Sequence, residues 1–168
     1  MKKTVVKFGA YGAITICVLF LISWFALDGL SLSVQEVLGY VSIVLSLSFV
    51  YFGIKQYRDK ENAGKLSFKD ALIIGILISL ITALVFGLLD VFYTEVLNPD
   101  FMADYYENAS DNLRASLPAD ELEAQLARLE AEREQFSNPL MSFTFMALTV
   151  FIIGFIISLL SSLILHRK

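Results

Sequence analysis

Asp104, Glu107, Asn108 and Asp111 recur at helical spacing, so one helix face would carry three carboxylates and an amide. Oxygen ligands of that kind suit calcium or magnesium. On a segment this acidic, a solvated face is the plainer account. Asp90 closes an apolar run, and an ionisable group in a membrane helix marks an ion or proton path by default. Its neighbours Tyr93 and Glu95 point instead to the interfacial end of a helix. His166, the single histidine, lies in the terminal "HRK" and reads as a solvated tail group. Cys17 is the single cysteine, which excludes an intrachain disulfide and a CxxC pair. The sequence contains no HExxH, GxSxG or Walker-type glycine loop, the motifs that carry hydrolytic and nucleotide chemistry. "NAS" at Asn108 matches the N-glycosylation pattern, whose use depends on the host. These residues predict a non-enzyme with no cofactor, no metal and no nucleic-acid partner.

The elements that carry these residues are set by hydrophobicity. The 168 residues are 57% apolar with a mean hydropathy of +0.67, well above a soluble domain, which is about half apolar and a quarter charged. Four runs, 8–27, 37–54, 71–89 and 140–165, contain no charge. Each approaches the roughly 20 residues that cross a bilayer core, where a helix satisfies its own backbone amides. Transmembrane helices are expected at about 8–27, 37–55, 70–93 and 139–165 of one membrane domain covering 1–168. The second run is the shortest and the last the longest, so the last should tilt or extend past the bilayer. The first run is too long for a secretory h-region and "WFALDG" lacks a cleavage site, so it reads as an uncleaved anchor.

Charge orients these crossings. Lys2, Lys3 and Lys7, then Lys55, Arg58, Lys60, Lys65 and Lys69, then Arg167 and Lys168 make up ten of the 13 basic residues. With four crossings all ten fall on one side, which the positive-inside rule makes cytoplasmic, both termini included. The connection 94–139 carries eleven acidic residues and three arginines and falls outside. Trp24, Tyr40 and Tyr93 would lie near the outer interface, and Tyr11, Tyr51 and Tyr57 near the inner one.

Local signals refine the picture. The short connection 28–36, with Gly29, makes helices one and two an antiparallel hairpin. In "ENAGKLSFKDA", Gly64 suits a left-handed turn, and Ser67 with Asp70 forms a capping box in which Leu66 staples onto Ala71. Gly75, Ser79, Ala83 and Gly87 repeat every four residues along helix three, Gly154, Ser158 and Ser162 do so on helix four, and Gly9, Ala13 and Cys17 on helix one. Such stripes allow close helix packing in lipid. Within the insertion 94–138, Asn98 and Pro99 look like a cap and first helical position, and a second helix starts near "SLPADE". Its Leu122, Leu126, Leu129 and Phe136 form an apolar stripe too short to stand alone, a face for the first loop helix, the membrane surface or a partner. At the exit of helix two, Tyr51, Tyr57 and Arg58 are more particular than topology requires and are candidates for an inner-face contact. The basic inner face can also attract anionic lipid.

Phe52, Gly53, Tyr57 and Arg58, followed by Gly64, Ser67, Phe68 and Ala71, resemble the domain of unknown function 4199 family over nearly the whole chain. The resemblance implies four transmembrane helices in a bacterial inner membrane and supplies no catalytic residues. The fold expected is all-α, an integral membrane four-helix bundle of two antiparallel hairpins with an extracytoplasmic helical loop between helices three and four. The function expected is that of an accessory, scaffold or assembly factor in the cell envelope, acting on membrane lipid, an envelope protein or further copies of itself. A small oligomeric transporter or channel is the alternative.

Overall fold

A computed structural model describes residues 1–26, 30 and 32–167. The expected turn at Asp28 and Gly29, the Leu27 end of the first span and the terminal Lys168 lie outside them. Among the described residues the fold is all helical, with no strands. Helix α1 covers Lys2–Ala26 and α2 covers Leu32–Gln56, continued by a π-helical turn, Tyr57–Glu61. Helix α3 covers Phe68–Phe92 and runs into a second π-helical turn, Tyr93–Leu97. Helices α4 (Phe101–Ser116), α5 (Ala119–Phe136) and α6 (Pro139–Leu165) follow.

Four segments, Lys2–Ala26, Val34–Glu61, Phe68–Leu97 and Pro139–Leu165, are long and apolar enough to cross a membrane, with mean hydropathy of 2.1 to 2.9 in their most apolar stretches. The bounds differ from expectation for physical reasons. Lysine is a good helix former, so Lys2, Lys3 and Lys7 belong to α1 rather than to a tail. Gln35 and Glu36, placed in the first connection by their polarity, lie inside α2, and the Gln35 amide donates to the Leu30 carbonyl at 2.8 Å. The third segment, with its π turn, reaches 30 residues and exceeds the 27 of α6.

The chain forms two compact units, Met1–Phe86 with Met146–Lys168, and Gly87–Phe145. In the first, α1 and α2 run antiparallel. The start of α1 meets the end of α2, where a Cβ on Gly53 would sit 3.2 Å from Phe8, and a Cβ on Gly12 would lie 3.2 Å from the Ser46 carbonyl. Toward the other end, Phe20 covers Gly39. Ile16, Leu47, Val50, Ile54, Ile74, Ile78 and Val150 are fully buried, so all four helices contribute to this interior. The buried hydroxyls of Ser46, Ser79, Thr82, Ser158 and Ser162 each donate to the carbonyl four residues back, which satisfies them without water.

The α2–α3 connection is tightly built. Gly64 has φ +80°, and its amide donates to the Arg58 carbonyl at 2.8 Å. The Ser67 hydroxyl accepts the Asp70 amide at 3.0 Å and donates to the Asp70 carboxylate at 2.6 Å. The capping pair is therefore present, with the carboxylate reaching the cap's hydroxyl. Leu66 and Ala71, the expected staple, are both buried. Leu66 also exchanges two backbone hydrogen bonds of 2.8 Å with Arg167, an isolated antiparallel bridge that ties this loop to the chain beyond α6.

In the second unit the expected cap at Asn98 is not formed. Helix α4 starts at Phe101 after Asp100, and the Asn98 side chain donates instead to the Tyr93 hydroxyl at 3.1 Å. The π turn leaves Asn98 ahead of a Pro99–Asp100 turn rather than at the helix threshold. Helix α5 begins after Pro118, as "SLPADE" predicts, and α6 begins on Pro139, where a missing amide hydrogen costs nothing.

The connection offers a clean test of backbone strain. A Cβ on Gly64 would meet nothing within 4 Å, so Gly64→Ala should lower stability by about 1 kcal/mol through its left-handed backbone alone. Ala63, at φ +50°, carries that strain already, and Ala63→Gly should shift stability the other way. Thermal unfolding of the purified protein in mild detergent measures both.

Candidate functional site

The small residues of α3 and α6 are buried at close helix approaches. Gly75, Ser79, Ala83 and Gly87 are buried, as are Gly154, Ser158 and Ser162. Gly75 faces Ser158, and Ser79 faces Gly154: a Cβ on Gly75 would lie 2.7 Å from the Ser158 side chain, and one on Gly154 would lie 2.5 Å from that of Ser79. The hydroxyls of Ser79 and Ser158 are 3.3 Å apart and bridge the two helices. Gly87 lies in the second unit, with Phe143 packed across it. On α1, Gly9 and Ala13 are buried and Cys17 is half-buried. Two close approaches fall outside the stripes read from sequence. Gly12 receives Thr82, and Gly53 receives Ile78. Isolated glycines in apolar runs were the available signal, but a search for four-residue repeats passes over them.

Of the three candidates at the α2 exit, Arg58 turns inward. It is buried, its Nε donates to Asp59 at 2.6 Å, and its terminal nitrogen donates to the Leu165 carbonyl at 3.4 Å. A guanidinium there complements the negative end of α6 and satisfies a carbonyl that has no partner within the helix. Tyr51 and Tyr57 remain half-buried, Tyr51 edge-on to Phe52 at 5.7 Å. Nearby, Glu61 accepts hydrogen bonds from Thr4 and from the Met1 ammonium, which joins the start of α1 to the π turn. His166 is exposed, and its Nδ1 lies 2.9 Å from the Leu163 carbonyl.

Asp90 is buried within its unit, and the Ser142 hydroxyl donates to its carboxylate at 3.2 Å. The partner lies 52 residues away, so local sequence carries no signal for it.

In the helical insertion, α5 leans on α4. Leu126, Leu129 and Arg133 line a groove of about 560 Å³ opposite Tyr106 and Arg114. Leu122 is half-buried, and Phe136 packs edge-on to Phe145 with ring centres 5.0 Å apart. Burial, reinforced by Glu132, raises the Tyr106 phenol above its ordinary pKa. The acidic face of α4 is engaged in part by its own helix. Asp111 pairs with Arg114 at 3.0 Å, and Asn108 donates to the Asp104 carbonyl at 2.8 Å. Among the described residues, no three of His, Cys, Asp and Glu are grouped to hold a metal ion.

Comparison with known families matches residues 7–167 to the family described as "Protein of unknown function (DUF4199)". No curated protein and no solved structure matches the chain.

The α3–α6 contact predicts a specific coupling. Gly154→Ala should destabilise by about 1–3 kcal/mol through overpacking against Ser79. In a Ser79→Gly background the same substitution should cost clearly less. Unfolding of the four proteins in detergent gives the cycle, and equal costs in both backgrounds would refute direct contact.

Proposed function

We propose that this chain, a member of the DUF4199 family, is a multi-pass bacterial inner-membrane protein, a bundle of four crossing helices with both termini in the cytoplasm. It acts without catalysis as an accessory, scaffold or assembly factor of the cell envelope, through contacts with lipid, an envelope protein or further copies of itself. The observation that carries this reading is the distribution of charge on the four apolar segments. Basic residues gather where α1 starts, where α2 meets α3 and where α6 ends, while the α4–α5 hairpin is strongly acidic. Arginine and lysine resist translocation whereas acidic residues do not, so the hairpin belongs outside the cytoplasm. There it holds an exposed polar surface, a natural seat for a partner.

A second reading, a small oligomeric transporter or channel, is favoured by Asp90, a carboxylate buried near the end of an apolar helix.

Single cysteines at Asn62 and Glu123, both exposed, test the first reading in a Cys17→Ser background. In intact cells an impermeant thiol reagent should label Glu123→Cys and spare Asn62→Cys. The reverse pattern overturns the orientation. A thiol-linked photocrosslinker at Glu123→Cys should then give intermolecular products, and purely intramolecular products would remove the case for a partner. For the second reading, reconstituted protein should conduct an ion, and Asp90→Asn should lower that flux at least ~10-fold, as removing a required intramembrane charge does. No flux for any ion tested eliminates it.

A further inference from the structure

At the lysine-rich ends of α1 and α2 the surface opens into a groove of about 390 Å³, within the roughly 300–1,000 Å³ of ligand pockets. Its floor is aromatic. Phe8, Tyr11, Phe49 and Phe52 form a chain of rings with successive centres 5.7, 5.7 and 6.4 Å apart. Phe52 and Tyr11 are exposed, half or nearly half of each surface being open. The described residues leave this aromatic surface of Tyr11 and Phe52 uncovered, and it has no place in water.

The rim is cationic. Lys55 and Lys60 border the groove, and the Lys7 ammonium stands 5.4 and 5.8 Å above the rings of Phe8 and Tyr11, within reach of Gln56 at 3.4 Å. Two acids lie nearby and both are engaged, Asp59 by Arg58 and Glu61 by the Met1 ammonium and Thr4. Among the described residues neither Lys55 nor Lys60 has an ion-pair partner. The rim therefore presents three lysines and one carboxylate, Asp59, which Arg58 pairs and which also feels the charge of Lys55.

The order of these groups along the helices matters most. On α1, Tyr11 follows Lys7 by one turn, and on α2, Phe49 and Phe52 precede Lys55. At 1.5 Å of rise per residue Tyr11, Phe49 and Phe52 stand about 5–9 Å further in along their helices than Lys7 and Lys55. Cations at the helix ends with an apolar floor one or two turns inward match a molecule whose anionic head is joined to a hydrocarbon tail.

We infer that the groove formed by Phe8, Tyr11, Phe49 and Phe52 under Lys7, Lys55 and Lys60 is a binding site for one anionic phospholipid. Its phosphate sits among the lysines and an acyl chain lies along the rings. Lysines alone would accept any phosphate. The aromatic floor selects the lipid form, because a free phosphate would leave those rings uncovered. This assignment rests on the membrane reading above and adds to it a defined lipid class and place.

Because Trp24 is the only tryptophan, a reporter with Trp24→Phe and Phe52→Trp carries its sole indole in the groove. Reconstituted in phosphatidylcholine vesicles, it should be quenched by brominated phosphatidylglycerol at an about fivefold lower mole fraction than by brominated phosphatidylcholine, the factor one lysine supplies near an anionic head. Adding Lys7→Gln, Lys55→Gln and Lys60→Gln should bring the two lipids to within about twofold. Lys65→Gln with Lys69→Gln, outside the groove, should preserve the preference. Equal quenching by both lipids, or a preference that survives loss of Lys7, Lys55 and Lys60 together, overturns the assignment. Relief of phosphatidylglycerol quenching by inorganic phosphate would also overturn it and reassign the site to free anion. Flotation separates the two levels of failure: protein that does not float with vesicles refutes the membrane reading, whereas floating protein without lipid preference refutes only the site.

Discussion

The approach of α3 to α6 is the constraint on which the first unit depends. In lipid the tails are as apolar as leucine, so burying leucine gains little and association relies on close packing and hydrogen bonds. The sequence meets this with reciprocity: each helix places a glycine where the other places a serine, Gly75 opposite Ser158 and Ser79 opposite Gly154. The serines satisfy themselves on their own helix and still touch each other across the gap. Leu47 of α2 reaches the same Gly154, and Thr82, one turn along α3 from Ser79, occupies the notch of Gly12 on α1. One pattern of small residues thereby positions all four helices of this unit.

In the first unit charged groups are confined to the helix ends and are used there mainly to close them. Gly64, Ser67 and Asp70 end one helix and begin the next, while Arg58 and the backbone of Leu66 close the end of α6. Asp59 beside Arg58 offsets a buried positive charge that would otherwise be costly. Of the cations left over, Lys7, Lys55 and Lys60 stand beside the aromatic groove of α1 and α2.

Features governed by spacing were legible in the sequence, and those governed by a distant partner were not. The repeat from Gly75 to Gly87, the Ser67–Asp70 cap and the left-handed Gly64 are local patterns whose physics is complete within a few residues. Arg58 was legible as a particular residue, but the carbonyl it meets at the end of α6 lies 107 residues away and has no local signal. Asp90 follows the same logic with Ser142. The π turns after α2 and α3 have no compositional signature, so the lengths of those segments and the true start of α4 at Phe101 escaped. The stripe Leu122, Leu126, Leu129 and Phe136 was legible as apolar, but α4 supplies part of what it leans on.

The contact between Arg58 and the Leu165 carbonyl joins residues 107 positions apart. A ribosome delivers the chain from its first residue, so α1, α2 and α3 all emerge before the carbonyl that Arg58 serves and before the strand-like partner of Leu66 exists. Until then the connection between α2 and α3 holds an inward cation and an unpaired amide. The fold therefore acts as a latch closed from behind: the connection between α2 and α3 can reach its final form only after α6 and the residues that follow it, as far as Arg167, have been made.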